Sequence, residues 1–108
     1  MMRVLIVEDE TAAAENLEYL LRKADPNIEV VTNTESVEQT ARWLSENSVD
    51  LIFMDIHLSD GSAFSLFDSV DVRTPIIFTT AYDQYALDAF KVNSIDYLLK
   101  PIKPSDLQ

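Results

Sequence analysis

Five side chains that can bind ions or transfer groups follow closely after short apolar runs in this sequence. A run that is apolar at consecutive positions predicts a strand buried on both faces, as in a parallel sheet. In open α/β sheets, ligands bind just outside the carboxyl ends of such strands. We therefore expect one edge of a sheet to bring together Glu8, Asp9, Asp55, Thr80 and Lys100.

The chemistry that this set favours is phosphoryl transfer. Three carboxylates at one place repel one another, and a hard divalent cation such as Mg2+, which takes oxygen ligands, removes that conflict. Lys100 supplies a second positive charge, and a carboxylate such as Asp55 can act as a nucleophile and become an acyl phosphate. In phosphoryl transfer the protein mainly positions groups and neutralises charge. The alternative for Asp55, taken alone, is that it only caps a loop.

The elements that must position these residues alternate along the chain. Strands are predicted at 4–7, 28–32, 50–54, 76–79 and 95–99, and helices at 11–24, after a cap near 36, at 63–70 and at 83–92. Such alternation predicts a parallel sheet with helices on both faces and right-handed crossovers. The predicted fold class is α/β, a flavodoxin-like doubly wound five-stranded parallel sheet of order 2-1-3-4-5. A fifth helix would open near Pro104 and is absent or truncated at residue 108.

Local signals predict how the first two helices begin, end and pack. Spacings of three and four predict an apolar face on the first helix, and Asp25-Pro26-Asn27 predicts its end. Thr34 or Ser36 can cap the second helix, and Ser36 with Gln39 has the spacing of a capping box. Asp60 with Gly61 predicts a simple turn. The predicted apolar face of the first helix consists of Ala13, Leu17, Leu20, Leu21 and Ala24.

Composition limits the class of protein. The 108 residues fit one domain, and the net charge of −11 makes that domain a poor candidate for binding nucleic acid or an anionic membrane. The absence of cysteine excludes disulfides and cysteine-based metal sites. The first apolar run is too short for a signal peptide or a membrane span, so a cytoplasmic location is expected.

Four motifs in order make the chain resemble the receiver domain of two-component response regulators. Each motif alone is modest, whereas four in the right order at the right spacings are specific. Segments 85–90 and 96–102 further resemble receivers of the LytTR type (LytR/AlgR-like), which usually precede a DNA-binding domain of mostly β structure. The four motifs are Glu8-Asp9 after an apolar run, Met54-Asp55 with Asp60-Gly61 downstream, Thr80-Ala81, and Tyr97-Leu98-Leu99-Lys100-Pro101.

The resemblance implies a phosphoacceptor and a metal site. Asp55 would accept the phosphoryl group and would ligate Mg2+ together with Asp9. The backbone carbonyl of His57 would add a third protein ligand, and Glu8 would act through a bound water. Many receivers carry Asp where this chain has Glu8, and the longer side chain still suits that outer role.

The resemblance also implies how the phosphoryl group is sensed. Lys100 would pair with Asp55 and then with a phosphoryl oxygen, which the Thr80 hydroxyl and the Ala81 backbone N–H would also reach. Tyr97 would be the aromatic residue that turns inward when Thr80 moves. The Lys100–Pro101 bond would be cis, which aims the ammonium into the pocket.

The implied protein is a signalling domain that promotes its own phosphorylation and dephosphorylation. Its phosphodonor would be a sensor histidine kinase. Phosphorylation would switch the surface of the fourth helix, predicted at 83–92, and the fifth strand, predicted at 95–99, and would favour a homodimer. Residues 1–108 would form one receiver domain cut at the start of its fifth helix. A DNA-binding output domain that regulates transcription is expected beyond residue 108.

Two other functions compete with this interpretation. A Mg2+-dependent phosphohydrolase with an Asp nucleophile would use a similar sheet, but such enzymes usually need a general acid where this chain has His57. They also usually carry a cap over the substrate, and no insertion in this chain could form one. A receiver-like interaction module that takes no phosphate is the other alternative, and the complete set of site residues argues against it.

Overall fold

The computed structural model describes residues 2–62, 65–66, 74–80 and 94–99, of which 57, 62, 80 and 94–99 are described by their backbone alone. The predicted helices at 63–70 and 83–92 and the one expected from Pro104 lie outside these residues, except for Ser65 and Leu66. The described helices are α1 (Thr11–Ala24) and α2 (Val37–Glu46). The strands are β1 (Met2–Val7), β2 (Ile28–Thr34), β3 (Leu51–Asp55), β4 (His57–Leu58), β5 (Gly61–Ser62), β6 (Ile76–Thr80) and β7 (Ser94–Leu99).

Five strands form a single parallel sheet in the order β2-β1-β3-β6-β7. These are the first to fifth strands that the sequence predicts, so the order 2-1-3-4-5 is confirmed. The remaining two strands, β4 and β5, form a short antiparallel hairpin directly after β3. Because all five strands of the main sheet run the same way, their carboxyl ends share one edge.

The sheet is covered on both faces, which explains why its central strands are apolar at consecutive positions. Successive side chains of a strand point to opposite faces, so neighbouring residues enter different layers of the core. Leu5 and Ile52 pack on the side of α2, whereas Val4, Ile6 and Phe53 pack on the side of α1. Leu66, which the predicted third helical stripe omitted, is also buried in the layer that includes Leu5.

The first helix begins and ends where the sequence predicts, with Asp25 N donating to Leu21 O at 3.0 Å. Leu17, Leu20 and Leu21 are buried as expected. The predicted face is wrong at its two ends, because Ala24 is exposed and Ala14 is buried in place of the half-buried Ala13. No helix in the described part of the chain is long and apolar enough to cross a membrane.

Ser36, and not Thr34, caps the second helix. The Ser36 hydroxyl accepts from Gln39 N at 3.0 Å, while Gln39 Oε1 accepts from Glu35 N at 2.9 Å. The reciprocal half of the capping box therefore reaches one residue earlier than the usual pattern, in which it returns to the cap itself. The second strand extends two residues beyond its predicted end, which places Thr34 inside the sheet.

Thr34 joins β2 to α2 through a buried hydroxyl pair. The hydroxyls of Thr34 and Thr40 lie 2.7 Å apart, and Thr40 donates its proton to Ser36 O at 2.7 Å. A hydroxyl has one proton, so the proton between the two threonines comes from Thr34. Both side chains are fully buried, and the Thr34 hydroxyl depends on Thr40 as its acceptor, whereas the Thr40 hydroxyl also donates to Ser36 O.

Thr40→Val is expected to lower the free energy of unfolding by about 1–3 kcal/mol, because it leaves the buried Thr34 hydroxyl without its acceptor. Adding Thr34→Val should recover part of that loss, since two apolar groups of the same shape then face each other. Urea unfolding of the two variants and the wild type provides the measurement. A double variant less stable than Thr40→Val would contradict the pairing.

Candidate metal centre and the adjoining hairpin

The loop after β1 presents two acidic side chains at the carboxyl edge of the sheet. Glu8 N donates to Thr34 O at 2.9 Å, which prolongs the pairing of β1 with β2 by one residue. The Glu8 carboxylate accepts from Glu10 N at 3.1 Å, and Glu10 O accepts from Ala14 N as the first helical bond of α1. Glu10 itself is exposed at the N-cap position, so the loop directs Glu8 and Asp9, and not Glu10, to the site.

The central strand delivers the third acid. Met54 pairs with Val7, so Asp55 lies one residue further along, at the level where β1 gives way to Glu8. Asp55 also pairs with Thr79 of β6, and Ile56 N donates to Thr79 O at 3.2 Å. The strand that carries Asp55 is therefore paired on both sides up to Met54, and Asp55 itself is paired with β6.

The carboxylates of Glu8, Asp9 and Asp55 meet as the sequence predicts. Each offers an oxygen that lies within 4.8 Å of the oxygens offered by the other two. Glu8 and Asp55 are buried, and Asp9 is half-buried. Three like charges at this separation repel strongly where water is largely excluded. Their oxygens are the ligands that Mg2+ prefers, so the donor set fits that ion.

Three of the other predicted site residues are described by their backbone, and two lie outside the described residues. His57 begins the hairpin two residues after Asp55, and Thr80 ends β6 opposite Leu99. Tyr97 lies in β7 opposite Phe78. Lys100 and Ala81 directly follow the paired residues Leu99 and Thr80 in the sequence, and both lie outside the described residues.

Asp60, for which the sequence predicts only a role in a simple turn, connects the hairpin to α2. The Asp60 carboxylate accepts from Val37 N at 2.7 Å and from Glu38 N at 3.1 Å, at the start of α2. These two bonds hold the pKa of Asp60 below its ordinary value of 3.8. The partners are 22 and 23 residues away along the chain, and no local pattern signals such a pairing.

Gly61 makes the hairpin turn possible. Its φ of 141° lies where residues with a side chain are rarely found, although a Cβ there would meet no atom within 4 Å. The restriction is therefore one of backbone conformation and not of space. The result is a tight connection that places Asp60 at the tip, between Leu58 and its partner Gly61.

The model of the response regulator receiver domain family matches residues 4–108. The chain belongs to this family. The match covers nearly the whole chain, and it agrees with the order of the sheet and with the acidic cluster at its carboxyl edge. The family expected from the four motifs and the fold expected from the alternation of strands and helices are thus confirmed.

Two relatives identify the branch of receivers to which this one is similar. The sensory transduction protein LytT of Bacillus anthracis is 41% identical over 104 residues, a match that covers 94% of this chain and 42% of the relative. The transcriptional regulatory protein LytR of Staphylococcus aureus is 40% identical over 103 residues, with coverage of 93% and 42%. These relatives agree with the predicted LytTR type, and the chain spans about two fifths of their length.

Two solved structures resemble this receiver closely in fold. The response regulatory domain of mrkE from Klebsiella pneumoniae has a TM-score of 0.87 and 31% identity, covering 98% of this chain and 88% of that one. The receiver domain of the sensor histidine kinase PA1611 from Pseudomonas aeruginosa has a TM-score of 0.79 and 28% identity, with coverage of 99% and 91%. The latter structure has a magnesium ion coordinated in its active-site cleft.

The Asp60 bonds predict a pH dependence of stability. The folded-state pKa of Asp60 is depressed, so its charge stabilises the fold at pH values above the ordinary 3.8. This contribution is lost as the pH falls through the folded-state value and the carboxylate is protonated. Asp60→Asn is therefore expected to be less stable than the wild type at pH 7, with a gap that narrows in acid. Urea midpoints of both proteins, measured from pH 7 down to acid pH, test the prediction. A difference in stability that does not change with pH would refute it.

Proposed function

We propose that this receiver takes a phosphoryl group from a sensor histidine kinase onto Asp55, with Mg2+ as cofactor. The observation that carries the proposal is the meeting of three carboxylates within 4.8 Å at the carboxyl edge of the sheet. Membership of the receiver family and the magnesium ion in the PA1611 receiver support it. The chain would thus act in signalling, and the group that becomes phosphorylated would be its own Asp55.

Asp9 and Asp55 would hold the metal directly, together with the backbone carbonyl of His57, and Glu8 would act through a water. The Glu8 carboxylate accepts from Glu10 N at the start of α1, which suits a contact with the metal through water. Bound Mg2+ would supply positive charge that offsets the negative charge of the transferred group.

Asp55 would act as the nucleophile. One of its carboxylate oxygens attacks the phosphorus of the kinase phosphohistidine, forming an O–P bond as the N–P bond breaks. The electron pair of the broken bond stays on the ring nitrogen, which takes up a proton from solvent. The signal would end by hydrolysis: water attacks the phosphorus, the O–P bond to Asp55 breaks, and phosphate leaves with one proton of the water while the other goes to solvent, which restores the carboxylate. The fixed position of Asp55 at the end of β3 favours both steps because it limits the search for the reactive geometry.

The ends of β6 and β7 would recognise the phosphoryl group. Thr80 and Leu99 are paired, and Ala81 and Lys100 are the next residues in the sequence. Thr80 would offer its hydroxyl, Ala81 its backbone N–H and Lys100 its ammonium. Tyr97, two residues before the end of β7, would change its orientation with Thr80 and so pass the signal to the surface formed by β7 and the helix predicted at 83–92.

The receiver would control transcription as one part of a longer regulator. The chain covers only 42% of relatives whose names describe sensory transduction and transcriptional regulation. A DNA-binding output domain beyond residue 108 and a homodimer favoured by phosphorylation complete the proposal. With its charge of −11, the receiver itself is not the part that would hold DNA. A cytoplasmic location is part of the same proposal.

Asp55→Asn is expected to abolish the mass gain of about 80 Da that marks a phosphoryl group on the wild type after incubation with acetyl phosphate and Mg2+. The amide has nearly the shape of the carboxylate but lacks its nucleophilic oxygen. Asp50→Asn is the matched control, because Asp50 precedes the opposite end of β3 and should leave the mass gain intact. Mass spectrometry gives the result, and wild-type labelling of the Asp55 variant would disprove the assignment.

Asp9→Asn is expected to weaken Mg2+ binding about tenfold or more, since even residues that only support a metal ligand usually contribute 10–100-fold. Glu10→Gln removes the neighbouring acid, which is exposed and outside the cluster, and should leave the affinity nearly unchanged. Isothermal titration calorimetry with Mg2+ alone compares the variants. Equal affinities for Asp9→Asn and the wild type would remove Asp9 from the site.

A further inference from the structure

The first turn of α2 has two separate side-chain caps. Ser36 supplies the local one, accepting from Gln39 N, as an N-cap residue usually does. Asp60 supplies the other from the hairpin, accepting from Val37 N and Glu38 N. The two caps bond different N–H groups, so the helix keeps a local cap when Asp60 is removed. The hairpin, in contrast, loses its bond to the helix.

The hairpin is held at its root and at its tip. At the root, Ile56 N donates to Thr79 O, and the side chains of Ile56 and Leu58 are buried in the core. At the tip, Asp60 bonds α2, and Ser59 Oγ lies 3.5 Å from Glu35 O. His57 lies between these two points, two residues after the proposed phosphoacceptor.

Such a hairpin needs both attachments to hold a fixed position. Its strands have two residues each, and an isolated two-stranded ribbon is marginally stable at best. A backbone carbonyl that ligates a metal must be held within about 0.5 Å of its working position. The bidentate, charged bond from Asp60 to two N–H groups is the kind of contact that supplies this precision.

We propose that Asp60 is a positioning residue for the metal centre. By tying the tip of the hairpin to α2, it holds the backbone of His57 where its carbonyl can ligate Mg2+. The inference rests on the proposed function, because it presumes that this cluster binds Mg2+. It assigns Asp60 no contact with the metal, and the anchor of Asp60 on α2 consists only of the backbone N–H groups of Val37 and Glu38.

The test compares Mg2+ affinity in folded variants by isothermal titration calorimetry, with circular dichroism to confirm folding. Asp60→Ala is expected to weaken Mg2+ binding about tenfold, a typical effect of losing a residue that supports a ligand. Asp60→Asn loses the same charge but keeps one acceptor oxygen, so its affinity should fall between those of the wild type and Asp60→Ala. It also serves as the decisive variant if Asp60→Ala does not fold.

Two controls separate positioning from general effects. Ser36→Ala removes the hydroxyl that accepts from Gln39 N but leaves the bonds of Asp60 to Val37 N and Glu38 N, and Glu35→Gln removes an exposed charge from the adjacent loop. Both should bind Mg2+ like the wild type. Wild-type affinity in the Asp60 variants, or equal weakening in Ser36→Ala or Glu35→Gln, would overturn the positioning role alone. A wild type that binds no Mg2+ would instead refute the proposed function, and the positioning role with it.

Discussion

The parallel register of β1 and β3 is the constraint on which the acidic site depends. It keeps the carboxylates of Glu8, Asp9 and Asp55 within 4.8 Å of one another, although like charges this close repel. The pairing of β1 with β3 brings Glu8 and Asp55 to the same level, and the core on both faces holds that register. A one-residue slip would turn buried side chains of the strand to the opposite face, so the register of the acids is as firm as the core itself.

The site draws its support from two directions. The acids stand on strands that are paired on both sides, and such strands are among the most rigid parts of a fold. The hairpin after Asp55 has no place in the main sheet and is held by its buried root and by the bonds of Asp60 to α2. A change of charge at Asp55 would therefore act on two neighbours: the sheet, which is firmly held, and the hairpin of β4 and β5, whose position depends on few contacts. Elements of the second kind are the ones that switches usually move.

The sequence by itself determined the order of the five strands of the main sheet and the acidic residues that follow β1 and end β3. Val4 to Val7 and Leu51 to Met54 are apolar at consecutive positions because each strand is buried on both faces, and this pattern is written in adjacent residues. The alternation of strands and helices then leaves few possible topologies, and the acids that follow the strands must meet at one edge. The end of α1 could also be predicted, because the proline in Asp25-Pro26 disfavours a helical conformation at the residue before it.

Only the tertiary structure decided the contacts between elements that lie far apart in the chain. Asp60 looked like a turn residue, yet its carboxylate bonds α2 across 22 and 23 residues. Thr34 is of a residue type that often caps helices, yet β2 extends beyond its predicted end and buries Thr34 against Thr40. The buried face of α1 likewise includes Ala14 and not Ala24, because the sheet beneath the helix, and not its own periodicity, sets which end of the apolar stripe is covered. Local patterns encode backbone conformation, whereas these pairings depend on how whole layers pack against each other.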